Sequence, residues 1–132
     1  MAGINLKHLG RKSEKPVKEL EVIPWPKAKR EESFAVRIEC SEFTSLCPVT
    51  SQPDFGSLII TYRPDSCIVE TKSLKLFLWS YRRRKAFNET LVREIGRRFF
   101  EAVKPLHLLV EGHFNARGGI KVNPVYERSK TK

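Results

Sequence analysis

Alternating apolar and polar residues mark the start of the predicted folded core. Phe34, Val36, Ile38 and Cys40 alternate with small or charged residues, a spacing typical of a strand that is buried on one face. Residues 57–63 are rich in strand-forming residues and predict a second strand. We expect this second strand to pair antiparallel with the first.

The pattern then changes to the three- and four-residue spacing of helices. An apolar stripe at i, i+3, i+4 and i+7 predicts an amphipathic helix capped by Ser73 or Thr71, and it consists of Leu74, Phe77, Leu78 and Tyr81. A second stripe begins after a candidate N-cap, Asn88, and consists of Val92, Ile95, Phe99 and Val103. Residues 106–115 and 120–122 predict two further strands, separated by a turn at Arg117-Gly118-Gly119.

The predicted order is therefore β-β-α-α-β-β. This order indicates an α+β fold in which two helices cover a four-stranded antiparallel sheet. Such a sheet has two open edges, which favour pairing with another subunit. We divide the chain into a basic, proline-containing leader at residues 1–32, a folded domain at residues 33–127 and a basic tail at residues 128–132.

Composition limits the classes of function. A chain of 132 residues with 40% hydrophobic residues fits one globular domain. It has no run of eighteen apolar residues and no apolar signal at its start, so we expect neither a membrane partner nor secretion. Three cysteines favour the reducing cytoplasm over a disulfide framework. The net charge of +10 favours anionic partners, although many cations lie in the two ends, which we interpret as solvated arms.

The segment between the first two strands, residues 42–56, carries the candidate chemistry. It contains Cys47 and Asp54, and its two prolines exclude a regular helix. The loop can fold back and bring a thiol to a carboxyl group, the minimum required for covalent catalysis on an electrophilic carbon. Cys40 and Cys67 lie in strand-like segments, and we interpret both as core residues.

Four segments together resemble the 7-cyano-7-deazaguanine reductases, the NADPH-dependent nitrile reductases of queuosine biosynthesis. They are the Cys47 loop, residues 70–77 with the pattern Glu-x-Lys-Ser-x-Lys, residues 87–89, and Arg117-Gly118-Gly119. The resemblance is to the short, single-module form and covers about residues 34–126. It implies the tunnelling fold, whose subunits join edge to edge into a barrel with active sites between subunits. It also implies a homo-oligomer that needs no direct nucleic-acid partner.

The resemblance implies roles in binding and converting the nitrile substrate. Cys47 is the nucleophile that forms a covalent thioimide, and Asp54 is the general acid that protonates the nitrile nitrogen. Glu89 anchors the deazaguanine ring by accepting hydrogen bonds from its N–H and amino groups. Asn88 stands beside it, where some relatives carry histidine. A second substrate-binding segment comprises Val69, Glu70 and Thr71.

The resemblance also implies NADPH as the cofactor. Lys72, Ser73 and Lys75 lie at the start of the first predicted helix, where they can hold phosphate groups. Arg117 is expected to assist, because its fork suits a 2′-phosphate. Arg82 matches a family position and adds to the positive field around the cofactor. No metal is expected.

From the residues alone, several of these positions also have structural interpretations. Cys47 fits an inert buried thiol, and Glu89 fits an ordinary glutamate in the first turn of a helix. Lys72 and Lys75 fit a solvated helix face. The family resemblance is what favours the functional roles.

Three other functions stay open at this point. A zinc hydrolase would use Cys47 with Cys40, His107 or His113, but no compact Cys/His spacing supports it. A basic RNA-binding module would use the net positive charge and the aromatic residues, most of which fall on apolar stripes. An amidine-forming relative keeps the cysteine and aspartate but lacks the NADPH motif.

Overall fold

A four-stranded sheet, a two-stranded sheet and two helices make up the fold in the computed structural model, which describes residues 19–131. Residues 1–18 of the predicted leader and Lys132 of the predicted tail lie outside this range. In chain order the elements are β1 (Val22–Pro24), β2 (Val36–Leu46), β3 (Pro53–Arg63), β4 (Cys67–Val69), α1 (Thr71–Trp79), α2 (Asn88–Val103), β5 (His107–Phe114) and β6 (Val125–Ser129).

The main sheet is antiparallel, with the strand order β2-β3-β5-β6. Ile60 of β3 faces Val110 of β5 across the register, and both side chains are buried. Phe77 of α1 and Phe99 of α2 are completely buried in the same core. Each such side chain contributes about 1.5–3 kcal/mol through burial. The packing confirms the predicted α+β fold with two helices on one face of an antiparallel sheet.

A β-bulge in β2 carries this strand further than the sequence pattern predicts. The register shifts between Cys40 and Phe43, so the core-facing positions change from even to odd numbers. Ile38 faces the core before the bulge, and Phe43 and Ser45 are buried after it. The simple alternation in the sequence therefore stops at Cys40, although the strand continues to Leu46, the residue before the loop.

The predicted strand at residues 120–122 is wrong, because the last strand is β6. Ile120 forms only an isolated bridge with Arg117. The chain instead pairs with β5 after Pro124, and Tyr126 lies over Gly96 of α2. A Cβ atom at Gly96 would stand 2.2 Å from the ring of Tyr126, so the close approach of β6 to α2 requires glycine.

A second, two-stranded sheet joins the predicted leader to the folded domain. Val22 of β1 pairs with Val69 of β4, and the Trp25 N–H donates to the Ser66 carbonyl at 2.9 Å. Val22 and Trp25 therefore already contact the folded domain, although its predicted start is residue 33. Neither helix in this part of the chain is long and apolar enough to cross a lipid bilayer.

Candidate active site

The loop between β2 and β3 is closed by its own backbone. The Cys47 N–H donates to the Gln52 carbonyl at 2.8 Å, and the Ser51 N–H donates back to the Cys47 carbonyl at 2.9 Å. Closing the loop this tightly places Ser51 in the left-handed region, with φ of 62°. The Gln52 N–H also donates to the Thr50 hydroxyl oxygen at 3.3 Å. These hydrogen bonds fix Thr50 close to the end of β2.

The sulfur of Cys47 is surrounded by hydrogen-bond donors. The Thr50 hydroxyl and the backbone N–H groups of Thr50 and Val49 favour the thiolate and lower the pKa of Cys47 to about 7. A large share of this thiol is therefore ionised near neutral pH, as a nucleophile requires. Burial raises the pKa of the other two thiols, Cys40 and Cys67, which pack against the core. These two positions agree with their interpretation as core residues.

Asp54 stands across the hairpin from Ser45, at the start of β3. Only 11% of its side chain is exposed, and its Oδ1 atom forms an ion pair with Nη2 of Arg117. The same nitrogen donates to the Pro53 carbonyl at 3.4 Å, and the guanidinium adds the smallest of the contributions that lower the pKa of Cys47. Cys47 and Asp54 are therefore brought to a common partner.

Arg117 reaches this position from a tight turn. Its N–H and carbonyl exchange hydrogen bonds of 2.9 Å with Ile120. Gly118 and Gly119 lie between them with φ of 57° and 79°, and two consecutive positive φ values of this kind favour glycine. The prediction placed Arg117 with the cofactor, whereas the single chain places it with the thiol and the carboxyl group.

The start of α2 lies beside the same end of the hairpin. Leu46, the residue before Cys47, donates its N–H to Arg84 and accepts from Ala86, at 2.9 and 3.1 Å. Asn88 follows two residues later as the first residue of α2, so the prediction that it is the N-cap is wrong by one position. Its side-chain oxygen is buried and has no hydrogen-bond partner within residues 19–131. Glu89 is exposed in the first turn.

The predicted substrate segment Val69, Glu70 and Thr71 begins towards the opposite end of the sheet. The Val69 N–H donates to the Tyr62 hydroxyl at 3.1 Å. Tyr62 follows Asp54 by eight residues in β3, which corresponds to about 27 Å along a strand. Val69 therefore lies towards the other end of β3 from Asp54, whereas Thr71 lines a groove between α1 and β2.

Glu70 is the N-cap of α1. Its carboxylate is buried and accepts from the N–H groups of Lys72 and Ser73, at 2.8 and 2.6 Å. The prediction that Ser73 or Thr71 caps this helix is therefore wrong. Because both oxygens of Glu70 bind the backbone, its side chain supports the helix, and Thr71 beside it is exposed.

Ser73 is completely buried. Its hydroxyl donates to the Glu70 carbonyl at 2.8 Å and accepts from the Glu21 N–H at 2.9 Å. These bonds tie the residue before β1 to the first turn of α1. In the single chain the hydroxyl therefore acts in the structure and presents no surface to a phosphate.

A groove of about 550 Å³ runs between α1 and β2 and provides a place for a nucleotide. Lys75 and Arg82 supply positive charge along it, and Leu78 and Trp79 supply an apolar wall. The combination fits a dinucleotide, which carries anionic phosphates and flat rings. Lys72 is half-buried at the start of the same helix.

A second groove of about 720 Å³ shares Arg82 and residues 41–44 with the first. It extends to Pro53, whose carbonyl accepts from Arg117. The α1 groove is therefore continuous with the end of the hairpin at which Cys47 lies.

Sequence reasoning missed Thr50 as a donor to the sulfur. The available signal was a hydroxyl three residues after a cysteine, in a segment where a proline enforces a turn. Among residues 19–131, no three His, Cys, Asp or Glu side chains are grouped in a way that could hold a metal ion. The zinc hydrolase alternative therefore has no ligand set in that range.

Comparison with known proteins agrees with the sequence resemblance. Residues 53–132 match the family described as QueF-like protein. A protein of Chelativorans sp. named NADPH-dependent 7-cyano-7-deazaguanine reductase is 46% identical over 127 residues, which are 93% of this chain and 82% of that protein. The protein of the same name from Zymomonas mobilis is 42% identical over 124 residues, which are 91% of this chain and 83% of that protein.

Another protein of that name, from Streptococcus thermophilus, is 48% identical over 101 residues. The aligned part makes up 75% of this chain and 62% of the streptococcal protein, so the chain spans less than two thirds of that relative. The crystal structure of the archaeosine synthase QueF-Like in the apo form superposes with a TM-score of 0.69 and 22% identity, covering 77% of this chain and 100% of that one. This likeness concerns the fold.

Proposed function

The chain belongs to the QueF-like family, and from this premise we propose that it is an NADPH-dependent nitrile reductase. Its substrate is 7-cyano-7-deazaguanine, and its product is the 7-aminomethyl compound used in queuosine modification of tRNA. One observation carries the proposal. Cys47, whose thiol has a lowered pKa, and Asp54 both lie beside the guanidinium of Arg117 at the end of one hairpin. The three described cysteines are free thiols, which agrees with a cytoplasmic enzyme.

The covalent step uses only groups of this chain. The proton of the Cys47 thiol passes to the Asp54 carboxylate, and the sulfur adds to the nitrile carbon. The carbon–sulfur bond forms as one π bond of the nitrile breaks, and its electron pair moves to nitrogen. Nitrogen then takes the proton from Asp54, which becomes a carboxylate again. The product is a thioimide, and no atom is oxidised or reduced.

The ring of the substrate is held by the start of α2. Glu89 is an exposed carboxylate that can accept from the N–H and amino edge of a guanine-type ring. Asn88 offers its amide beside it, with an oxygen that has no partner within the described part of the chain. Asn88 keeps a donor and an acceptor but does not titrate, so we assign it to binding and not to proton transfer.

NADPH, when bound, supplies the hydrides that take the carbon from the nitrile to the amine level. Lys75 and Arg82 in the α1 groove, with Lys72 beside it, are the residues that would hold this cofactor. Ser73, which was predicted for the same task, supports the site by fixing the start of α1. Its hydroxyl is committed to two internal hydrogen bonds.

A complete site requires a second copy of the chain. Val69 binds the Tyr62 hydroxyl, and Tyr62 lies eight residues from Asp54 along β3, about 27 Å along a strand, so Val69 and Asp54 of one copy are too far apart to touch one small substrate. Within residues 19–131 no strand pairs with the outer edge of β6, and β2 has only the bridge at Leu46 along its outer edge. We therefore propose a homo-oligomer in which Thr71 of one copy approaches Cys47 of the next.

The test is NADPH oxidation in the presence of 7-cyano-7-deazaguanine, together with intact mass. The wild-type chain is expected to consume NADPH and, without it, to gain the mass of one substrate. Cys47→Ala should lose both properties, and Cys67→Ala, which removes a thiol that packs against the core and lines neither groove, should keep them. If the wild type neither oxidises NADPH nor gains mass, the reductase proposal is rejected. Amidine formation without NADPH consumption would identify the amidine-forming alternative.

A further inference from the structure

The guanidinium of Arg117 lies between the two reacting groups of the proposed covalent step. It forms an ion pair with Asp54 and donates to the Pro53 carbonyl, and after Thr50 and the loop N–H groups it adds a smaller contribution to the lowered pKa of Cys47. A residue that served only a cofactor phosphate would have no need of these partners. They all belong to the hairpin end, and none belongs to α1 or its groove.

We propose that Arg117 is a positioning residue for thioimide formation, in addition to any contact with the cofactor. Its ion pair orients the Asp54 side chain at the hairpin end, from which Asp54 exchanges the proton with Cys47 and the nitrile nitrogen. The inference rests on the proposed function and deepens it. From the sequence, Arg117 was predicted only to contact a phosphate of the cofactor.

The backbone of the turn fixes the position of Arg117. Gly118 and Gly119 adopt positive φ values, and the paired hydrogen bonds between Arg117 and Ile120 close the turn. The long side chain therefore starts from a defined point. About half of it is exposed, at 51%, so water weakens its Coulomb attraction to Asp54. Orientation of the carboxylate is thus its main contribution.

Arg117 has a partner at every stage of the proton cycle. Before addition it pairs with the Asp54 carboxylate. While Asp54 carries the thiol proton, the negative charge lies on the sulfur, where Arg117 also favours it. After the nitrile nitrogen takes the proton, the carboxylate and its ion pair return. The cation thus stays next to one negative charge throughout the step, which favours charge transfer between the two groups.

The test measures adduct formation without NADPH, so that cofactor binding does not enter. In the full chain, Arg117→Met is expected to slow the mass gain with 7-cyano-7-deazaguanine about tenfold or more, because a misoriented Asp54 transfers the proton less readily. Arg117→Lys keeps the charge but not the fork and should recover part of the rate. Arg97→Met is the matched control, since it removes the same charge from an exposed position on α2.

A second readout does not depend on the nitrile. Alkylation of Cys47 by iodoacetamide, followed by peptide mass spectrometry across pH, should shift to higher pH in Arg117→Met and not in Arg97→Met. Gly118→Ala strains the turn without a steric contact, since nothing lies within 4 Å of its Cβ position, and should shift the profile in the same direction.

The outcomes separate the two proposals. Wild-type adduct and alkylation rates in Arg117→Met, with only the KM for NADPH raised, would overturn the positioning role. If no adduct forms in the wild type but the alkylation profile still shifts, the reductase assignment fails and the role of Arg117 beside Cys47 stands.

Discussion

The hydroxyl of Thr50 donates to the sulfur of Cys47, three residues earlier in the same loop. This contact is the largest of those that lower the pKa of Cys47 to about 7. The reactivity of the thiol is therefore determined mainly within a short loop, and less by the distant Arg117.

Removing the Thr50 hydroxyl should move the reaction to higher pH. A thiolate is the nucleophile, so wild-type adduct formation should rise with pH and reach half its maximum at about pH 7. In Thr50→Val the thiolate loses its main donor, the pKa rises, and the rate at neutral pH falls. Iodoacetamide alkylation of Cys47 against pH measures the shift. Thr50→Ser keeps the hydroxyl and is the control. An identical profile for the Val and Ser variants would contradict the assignment.

Ser51→Gly should stabilise the chain. Ser51 has φ of 62°, in the left-handed region that disfavours residues with a Cβ. Relief of this strain outweighs the entropy that glycine gains on unfolding, giving a net increase of about 0.5–1 kcal/mol in the free energy of unfolding. Urea unfolding measures it, with Ser51→Ala as the control that keeps the strain. Equal stabilities of the Gly and Ala variants would show that the loop is not strained.

Gly96→Ala should destabilise the contact between α2 and β6. The added methyl group would stand 2.2 Å from the Tyr126 ring, so that strand or side chain must move. We expect a loss of about 1–3 kcal/mol, as in other overpacked sites. A double variant with Tyr126→Ala removes the clash, so the two effects should be less than additive in thermal unfolding. Simple additivity would count against the contact.

Ser73→Ala and Lys75→Ala should separate structure from cofactor binding. Loss of the buried Ser73 hydroxyl leaves the Glu21 N–H without this acceptor, and we expect about 1–3 kcal/mol less stability. The KM for NADPH should change little. Lys75→Ala should leave stability unchanged and raise that KM, because Lys75 is exposed along the α1 groove. If Ser73→Ala raises the KM without loss of stability, the hydroxyl contacts the cofactor after all.

Two inactive variants should restore activity when mixed as unfolded chains and refolded together. Cys47→Ala lacks the nucleophile, and Thr71→Arg blocks the predicted substrate segment at the start of α1. If one site combines Thr71 of one copy with Cys47 of another, mixed oligomers contain some intact sites. Activity up to about a quarter of wild type is expected from random pairing. No recovery from well-folded mixed oligomers would place both residues in the same copy's site.

The helices and the central strands follow from local sequence. The stripe from Leu74 to Tyr81 and the stripe from Val92 to Val103 are buried as their spacing indicates. The positions of β2 and β6 depend on pairing between distant segments. The bulge after Cys40 interrupts the alternation of β2, and β6 forms beyond Pro124, where the register with β5 and the space over Gly96 allow it.

The sequence by itself predicted that Cys47 and Asp54 lie near each other, because the prolines between two predicted antiparallel strands make the segment fold back on itself. Only the tertiary structure decided the partners of Arg117 and Ser73, which come from 64 and 52 residues away. It placed the Arg117 guanidinium against Asp54 and the Pro53 carbonyl, and it placed Ser73 in the interior. The reason is physical: local spacing governs turns and helix faces, whereas burial and ion pairing depend on which distant segments the packed core brings together.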